Sequence, residues 1–260
     1  MMMIIKGGFQ LKILSIDTSS NICGVSILED TKLICKLDAI AVNSHSQTLM
    51  PMINDALNES KLSIDDINLI VCDIGPGSFT GIRIGTATVK AFRDSKNIDL
   101  VGITSLECLA RQLSNDVSNN SLICSMIDCK NDNCYFALYQ KTDDGLDVLI
   151  TPSAESVKVT LSILDTYIED SSETGNIYFI GDASTNYKSD IEKMIPYGYF
   201  SNPKQNLLNS YYLGLSGLDF YNSGIEATTD DRQLNDILPL YLKKPQAQRQ
   251  LEEKEKEIKF

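Results

Sequence analysis

The sequence predicts an α/β protein of two duplicated lobes, each running β-β-β-α-β-α. The first observation is the stretch from Ile67 to Phe92. An apolar, β-branched run (Ile67 to Ile74) is broken by Gly75-Pro76-Gly77, and Ile82, Ile84, Ala87, Val89, Ala91 and Phe92 then follow a helical period. The second is a recurrence: Ile16-Asp17-x5-Cys23 returns as Ile127-Asp128-x5-Cys134, each time an apolar strand ending in Asp, a polar turn and a second apolar strand. A repeat of this length signals duplicated lobes rather than a solenoid. The third is composition, since 43% hydrophobic residues in a chain of 260 support a sizeable core.

In chain order, Leu11 to Asp17, Ile22 to Leu28 and Lys32 to Ala39 read as a three-stranded antiparallel meander. Ser44 and Gln47 form a capping-box pattern, and the helix they open carries Leu49, Ile53, Ala56 and Leu57 on one face. Pro51 falls beyond its first turn, so the helix either kinks or starts late. The central strand, glycine turn and helix follow, with Ser78 and Thr80 as caps. Gly81 and Gly85 lie one turn apart on one helix face, at a cost on the order of 1 kcal/mol each relative to alanine. Something must therefore approach that face closely. It is either this protein's own sheet or a partner helix; a phosphate loop lacks the lysine after the second glycine.

Leu100 to Ile103 is a short strand and Ser105 to Leu113 a helix. The second lobe repeats the order with strands to Asp128, from Cys134 and over Leu146 to Ile150, a helix over 154–168, a strand over Ile177 to Ile180 and a helix over Thr185 to Ile195. Asn206 to Tyr221 is helical in period and is expected to return to the first lobe. Leu238 to Lys244 is strand-like, and Glu252 to Lys259 is a charged tail. These readings divide the chain into a first lobe over 11–103 joined by the helix 206–222, a second over 104–200, and a C-terminal segment over 238–260. Asp17 and Asp128, at equivalent points of the repeat, are expected to face each other across the cleft.

The net charge is −12, from 23 basic and 35 acidic residues. An anionic surface repels phosphate backbones, so a nucleic acid would be held through a basic partner. Seven cysteines without a C-x-x-C pair read as buried free thiols of a reducing compartment. With no run near the roughly 20 apolar residues that span a bilayer, and no signal peptide, a cytoplasmic protein with no membrane role is expected.

Ile13-Leu14-Ser15-Ile16-Asp17-Thr18-Ser19, His45-Ser46 with Leu49-x-Pro51-Met52-Ile53, Gly75-Pro76-Gly77-Ser78-Phe79-Thr80-Gly81-Ile82-Arg83-Ile84-Gly85, Ile127-Asp128 and Pro239-Leu240-Tyr241-Leu242 together resemble the TsaB family, also called YeaZ. The glycine run is the specific part, and the resemblance thins after Leu149. It implies an actin-like (ASKHA) two-lobed fold that has lost most of its catalytic equipment. It further implies a non-catalytic scaffold that binds the transferase TsaD and works with the ATPase TsaE. That assembly places threonylcarbamoyl on the adenosine beside the anticodon of tRNAs reading codons that begin with A. In the family, the helices after His45 and Gly77 meet TsaD, or a second TsaB copy in its absence. Carried onto this chain, the interface comprises His45, Leu49, Met52, Gly77, Phe79, Gly81, Arg83, Gly85 and Val89, while Asp17, Thr18 and Asp128 mark a vestigial nucleotide cleft. The chain then needs no cofactor or metal of its own, ATP and magnesium being the business of partner subunits, and tRNA is met only through the complex.

Two departures matter. Ile127-Asp128-Cys129-Lys130-Asn131-Asp132 lacks the arginines usual in the family's second-lobe motif, and Gly181-Asp182-Ala183 lacks a second glycine, which makes a phosphate site there less expected. One histidine, His45, cannot supply a His-pair metal site or a full nucleophilic triad. The alternative reading is an ATP-dependent phosphotransferase or ATPase of the actin-like superfamily. On the scaffold reading, arginine at Gly81 or Gly85 is expected to abolish a complex and spare the fold.

Overall fold

The computed structural model describes residues 10–41, 44–170, 175–224 and 233–243. The N-terminal extension up to Phe9 and the charged tail Glu252 to Lys259 lie outside them. The first lobe opens with β1 (Lys12–Asp17), β2 (Ile22–Glu29) and β3 (Lys32–Ile40), then α1 (His45–Glu59), β4 (Leu69–Asp73), α2 (Phe79–Lys96) and β5 (Asp99–Ile103). After α3 (Ser105–Leu113) the second lobe repeats the sequence as β6 (Leu122–Asp128), β7 (Asn133–Lys141), β8 (Leu146–Ser156), α4 (Val157–Asp170) and β9 (Ile177–Ile180). It then runs through α5 (Asp182–Asn186), α6 (Lys188–Met194) and β10 (Tyr199–Phe200) to α7 (Ser210–Ser223) and β11 (Gln233–Leu234).

The duplication is visible in the sheets. The first has the order β11-β5-β4-β1-β2-β3 and the second β10-β9-β6-β7-β8. In each, the first strand pairs antiparallel with the second and parallel with the fourth. This is an actin-like two-lobed α/β fold. β4 is buried along its whole length because helices cover both faces of the sheet, which is why it reads as an unbroken apolar run.

On one face, Leu14, Ile16, Val25, Ile27, Ile70 and Cys72 pack with Leu49, Ile53 and Ala56 of α1 and Val89 of α2. On the other, Ile13, Leu28, Val71 and Val101 meet Leu213 and Leu218 of α7. Burying each such aliphatic side chain stabilises by about 1.5–3 kcal/mol. The lobes exchange helices. α3 follows the first-lobe strand β5 yet packs Leu106, Leu109 and Ala110 on Ile123, Ala137 and Tyr139 of the second sheet. α7 follows the second lobe yet covers the first sheet and lies against α3.

Several local expectations are corrected. Ser44 sits at the α1 N-cap, but its side chain makes no capping bond; its Oγ instead lies 2.8 Å from Ser46 Oγ. Pro51 is accommodated inside α1, with its ring exposed. The helix expected over Thr185 to Ile195 is two short ones broken at Tyr187, and α7 starts at Ser210 under an Asn209 cap. Leu238 to Lys243 forms no strand; it is irregular, held by Leu240 N donating to the Ile74 carbonyl at 2.7 Å. All seven cysteines are free, and all but Cys129 are buried. No described helix is long and apolar enough to cross a membrane.

Candidate functional site

The glycine face of α2 is filled by the protein's own β1–β2 turn. A Cβ at Gly77 would stand 2.3 Å from the Ser19 carbonyl oxygen, and one at Gly85 would stand 2.5 Å from Thr18 Oγ1. Ser78 N donates to the Ser19 carbonyl at 2.6 Å, and Ser78 Oγ caps the helix by accepting from Gly81 N. The close approach inferred from Gly81 and Gly85 is thus made within the chain and not by a partner helix. Arginine at either glycine would disrupt the fold, which corrects the expectation that the fold would be spared.

Most of the sequence-assigned interface residues also point inward. Leu49, Met52 and Val89 belong to the core. His45 is 9% exposed, with Nε2 2.8 Å from the Ser20 carbonyl oxygen and Nδ1 buried without a partner among the described residues. What faces outward is a neighbouring set. α1 shows Ser46, Gln47, Met50, Pro51 and Asn54; α2 shows Thr80, Arg83, Ala87 and Ala91, with Ile84 and Thr88 half-buried. The two helices lie side by side on the same sheet face.

Arg83 has an intramolecular role that the sequence does not show. Its guanidinium carbon stands 3.9 Å from the centre of the Phe79 ring, and its Nε donates to the Tyr241 hydroxyl at 2.7 Å. Tyr241 in turn packs on Phe79, with ring centroids 4.6 Å apart. The C-terminal segment is therefore pinned to the first turn of α2.

The two repeated aspartates lie in separate clusters, each bonded within its own lobe. Asp17, 1% exposed, accepts at Oδ1 from Ser19 N (2.8 Å) and Ser19 Oγ (2.7 Å). Its carboxyl neighbour is Asp73, at the end of β4, and Thr18 uses its hydroxyl on the Gly81 carbonyl. Burial raises the pKa of Asp17 and, helped by the charge of Asp17, pushes Asp73 well above the usual carboxylate range. Asp128 accepts from Lys130 N at 2.8 Å and Asn186 Nδ2 at 2.9 Å, while its own N–H donates to Asp182 Oδ1 at 2.8 Å. Burial pulls Asp128 up, but the bonds from Lys130 and Asn186 outweigh it and leave its pKa lowered. Gly181, with φ +104°, lies so close to the Met126 carbonyl that a Cβ would stand 2.0 Å from it, which fixes α5 beside Asp128.

A family model described as "TsaD: tRNA N6-adenosine threonylcarbamoyltransferase" matches residues 38–250. The chain is 29% identical over 136 residues to the tRNA threonylcarbamoyladenosine biosynthesis protein TsaB of Escherichia coli, covering 52% of this chain and 58% of that one. Against TsaB of Bacillus subtilis it is 31% identical over 140 residues, covering 54% and 60%. The chain belongs to this family, on its TsaB (YeaZ) branch. It spans about three-fifths of the length of these curated relatives. The structure of YeaZ from Pseudomonas aeruginosa superimposes with a TM-score of 0.68 at 20% identity, covering 89% of this chain and 100% of that one, which establishes the shared fold.

Among the family motifs, then, the glycine run serves first to seat the β1–β2 turn. The sequence reading missed Asp73, Ser105 and Tyr241. Asp73 carried a signal, since a single carboxylate inside an apolar strand must be paired or neutral when buried. Tyr241 stood out only as part of the Pro239-Leu240-Tyr241-Leu242 motif, and its contacts with Phe79 and Arg83 carried no local signal because those partners lie far away in the chain.

Proposed function

We propose that this chain is a non-catalytic scaffold for threonylcarbamoyladenosine formation on tRNA. It binds the transferase TsaD, and with it the ATPase TsaE, through the outward face of α1 and α2. The observation that carries the reading is the character of that face. In a chain of net charge −12, Met50 (48% exposed), Pro51, Thr80, Ala87 and Ala91 put small and apolar side chains on that face, with Asp55, Arg83 and Lys90 as the charges beside them. Small residues let a partner helix come close, and a charge-poor centre is what a buried interface needs. The same surface pairs two copies when TsaD is absent, as a self-complementary two-fold contact.

A non-catalytic role is supported by the use of the chain's single histidine, which is buried against the Ser20 carbonyl. It is also supported by Asp17, whose carboxyl is taken up by Ser19 and Asp73 rather than turned to a cleft. The acidic surface favours contact with tRNA through partner subunits.

The test is size-exclusion chromatography with light scattering of this protein and its own TsaD, comparing wild type with Ala87→Arg. Ala87 is exposed, so the fold is expected to survive and the heterodimer to be lost. A heterodimer that persists in Ala87→Arg and in Met50→Asp would sink the assignment of this face.

A further inference from the structure

The carboxyl pair at the ends of β1 and β4 cannot be described with both groups ionised, and the argument is a count of protons. Ser19 Oγ lies 2.7 Å from Asp17 Oδ1 and 3.0 Å from Asp73 Oδ2, yet a hydroxyl has one hydrogen. If it donates to the nearer Asp17, Asp73 Oδ2 must bring a proton of its own. The other contacts of Asp73 agree. Its Oδ1 accepts from Gly75 N at 2.6 Å, and Ser105 Oγ sits astride the carboxyl, 2.7 Å from Oδ1 and 2.8 Å from Oδ2, so its one hydrogen cannot fill both oxygens either.

We propose that Asp73 is a neutral carboxylic acid whose carboxyl ties together the β1–β2 turn, the glycine turn and the first residue of α3, its own proton being the one directed at Ser19 Oγ. Each element contributes one partner: Ser19 from the turn, Gly75 from the loop before α2, and Ser105 from the helix that crosses to the second lobe. Asp73 is a positioning residue, and nothing in the partner-binding reading depends on it.

Among the described residues no lysine or arginine is hydrogen-bonded to either carboxyl, and the positive influence on Asp17 is that of His45, the smallest of its causes. The titratable groups acting on the pair are Cys23 from β2, Cys72 from β4, Cys108 and the nearby Glu107 from α3, and His45 from α1. Burial keeps the three thiols protonated, raising Cys23 to about 12. Two buried carboxylates in contact share a proton rather than ionise together, and hydrogen bonds from Ser19 and Asp73 are what partly hold Asp17 down.

Carboxyl-carbon NMR of the full chain with labelled aspartate tests the proposal. At pH 7 one aspartate carbon is expected at the position of a protonated acid, and Asp73→Asn should remove it while keeping the fold, because an amide offers one acceptor and a donor in the same places. The linkage has a definite sign. A folded-state pKa above the unfolded one means that the folded chain holds a proton the unfolded chain releases. The folding equilibrium therefore falls by up to tenfold per pH unit as pH rises from the ordinary aspartate range towards the folded value. That slope should be missing in Asp73→Asn. In Asp73→Ala, exchange of the Ser19, Gly75 and Ser105 amides should rise more than in Asp73→Asn. Fully ionised aspartates at pH 7, or an asparagine variant as unstable as the alanine one, would overturn the assignment.

Discussion

Gly81 rests directly on Thr18. A Cβ at Gly81 would stand 1.9 Å from the Thr18 carbonyl oxygen, while Thr18 Oγ1 donates to the Gly81 carbonyl at 2.8 Å. Backbone meets backbone here, and neither can turn aside as a side chain could. Gly81→Ala should therefore destabilise, although alanine is the better helix former by about 1 kcal/mol. A net loss of about 1–3 kcal/mol is expected from overpacking, read as a lower urea midpoint. An unchanged or higher midpoint would show that the turn does not dock as described.

The C-terminal segment is held by a small aromatic and cationic stack. Tyr241→Phe removes only the hydroxyl that accepts from Arg83 and should cost less than about 1.5 kcal/mol. Tyr241→Ala also removes the ring contact with Phe79 and should cost more. Limited proteolysis separates the two: cleavage in 238–243 should quicken in Tyr241→Ala and stay near the wild-type rate in Tyr241→Phe.

Asp128 runs opposite to Asp73 in its pH dependence. Its folded pKa is lowered, so its contribution is complete above the usual aspartate range and is lost as pH falls through the folded value. Asp128→Asn should flatten the acid limb of the stability profile and leave the neutral region comparatively little changed. Thermal unfolding between pH 2 and pH 7 reads this, and parallel profiles for the two proteins would count against it.

The docking of α7 on the first sheet turns on Gly217, where a Cβ would stand 2.3 Å from Val71 Cγ2. Gly217→Ala should lower the unfolding midpoint, and adding Val71→Ala should recover part of the loss because the two changes share one space. Additive losses in the double variant would place the strain elsewhere.

Much of the fold was legible because it is written in local periodicity. The apolar run before Gly75, the helical spacing after Ser78 and the bounds of α3 follow from which residues alternate and which recur every turn. The repeat of Ile16-Asp17 in Ile127-Asp128 carried the duplication, and both sheets keep the same pairing. The start of α1 after Ser44 was legible, but the hydrogen bond expected to cap it was not. Ser44 stands where a capping box was expected, but its hydroxyl found Ser46 instead.

By itself the sequence determined that the α2 face bearing Gly81 and Gly85 must be closely approached, because two interior glycines weaken a helix unless contact compensates. Only the tertiary structure decided that Thr18 and Ser19 make that approach, that Asp17 answers to Asp73 rather than to Asp128, and that Tyr241 covers Phe79. The physical reason is common to all three. Periodicity records which side of an element is buried, whereas the identity of what lies against it is set by chain segments tens to more than a hundred residues away, whose approach no local pattern encodes.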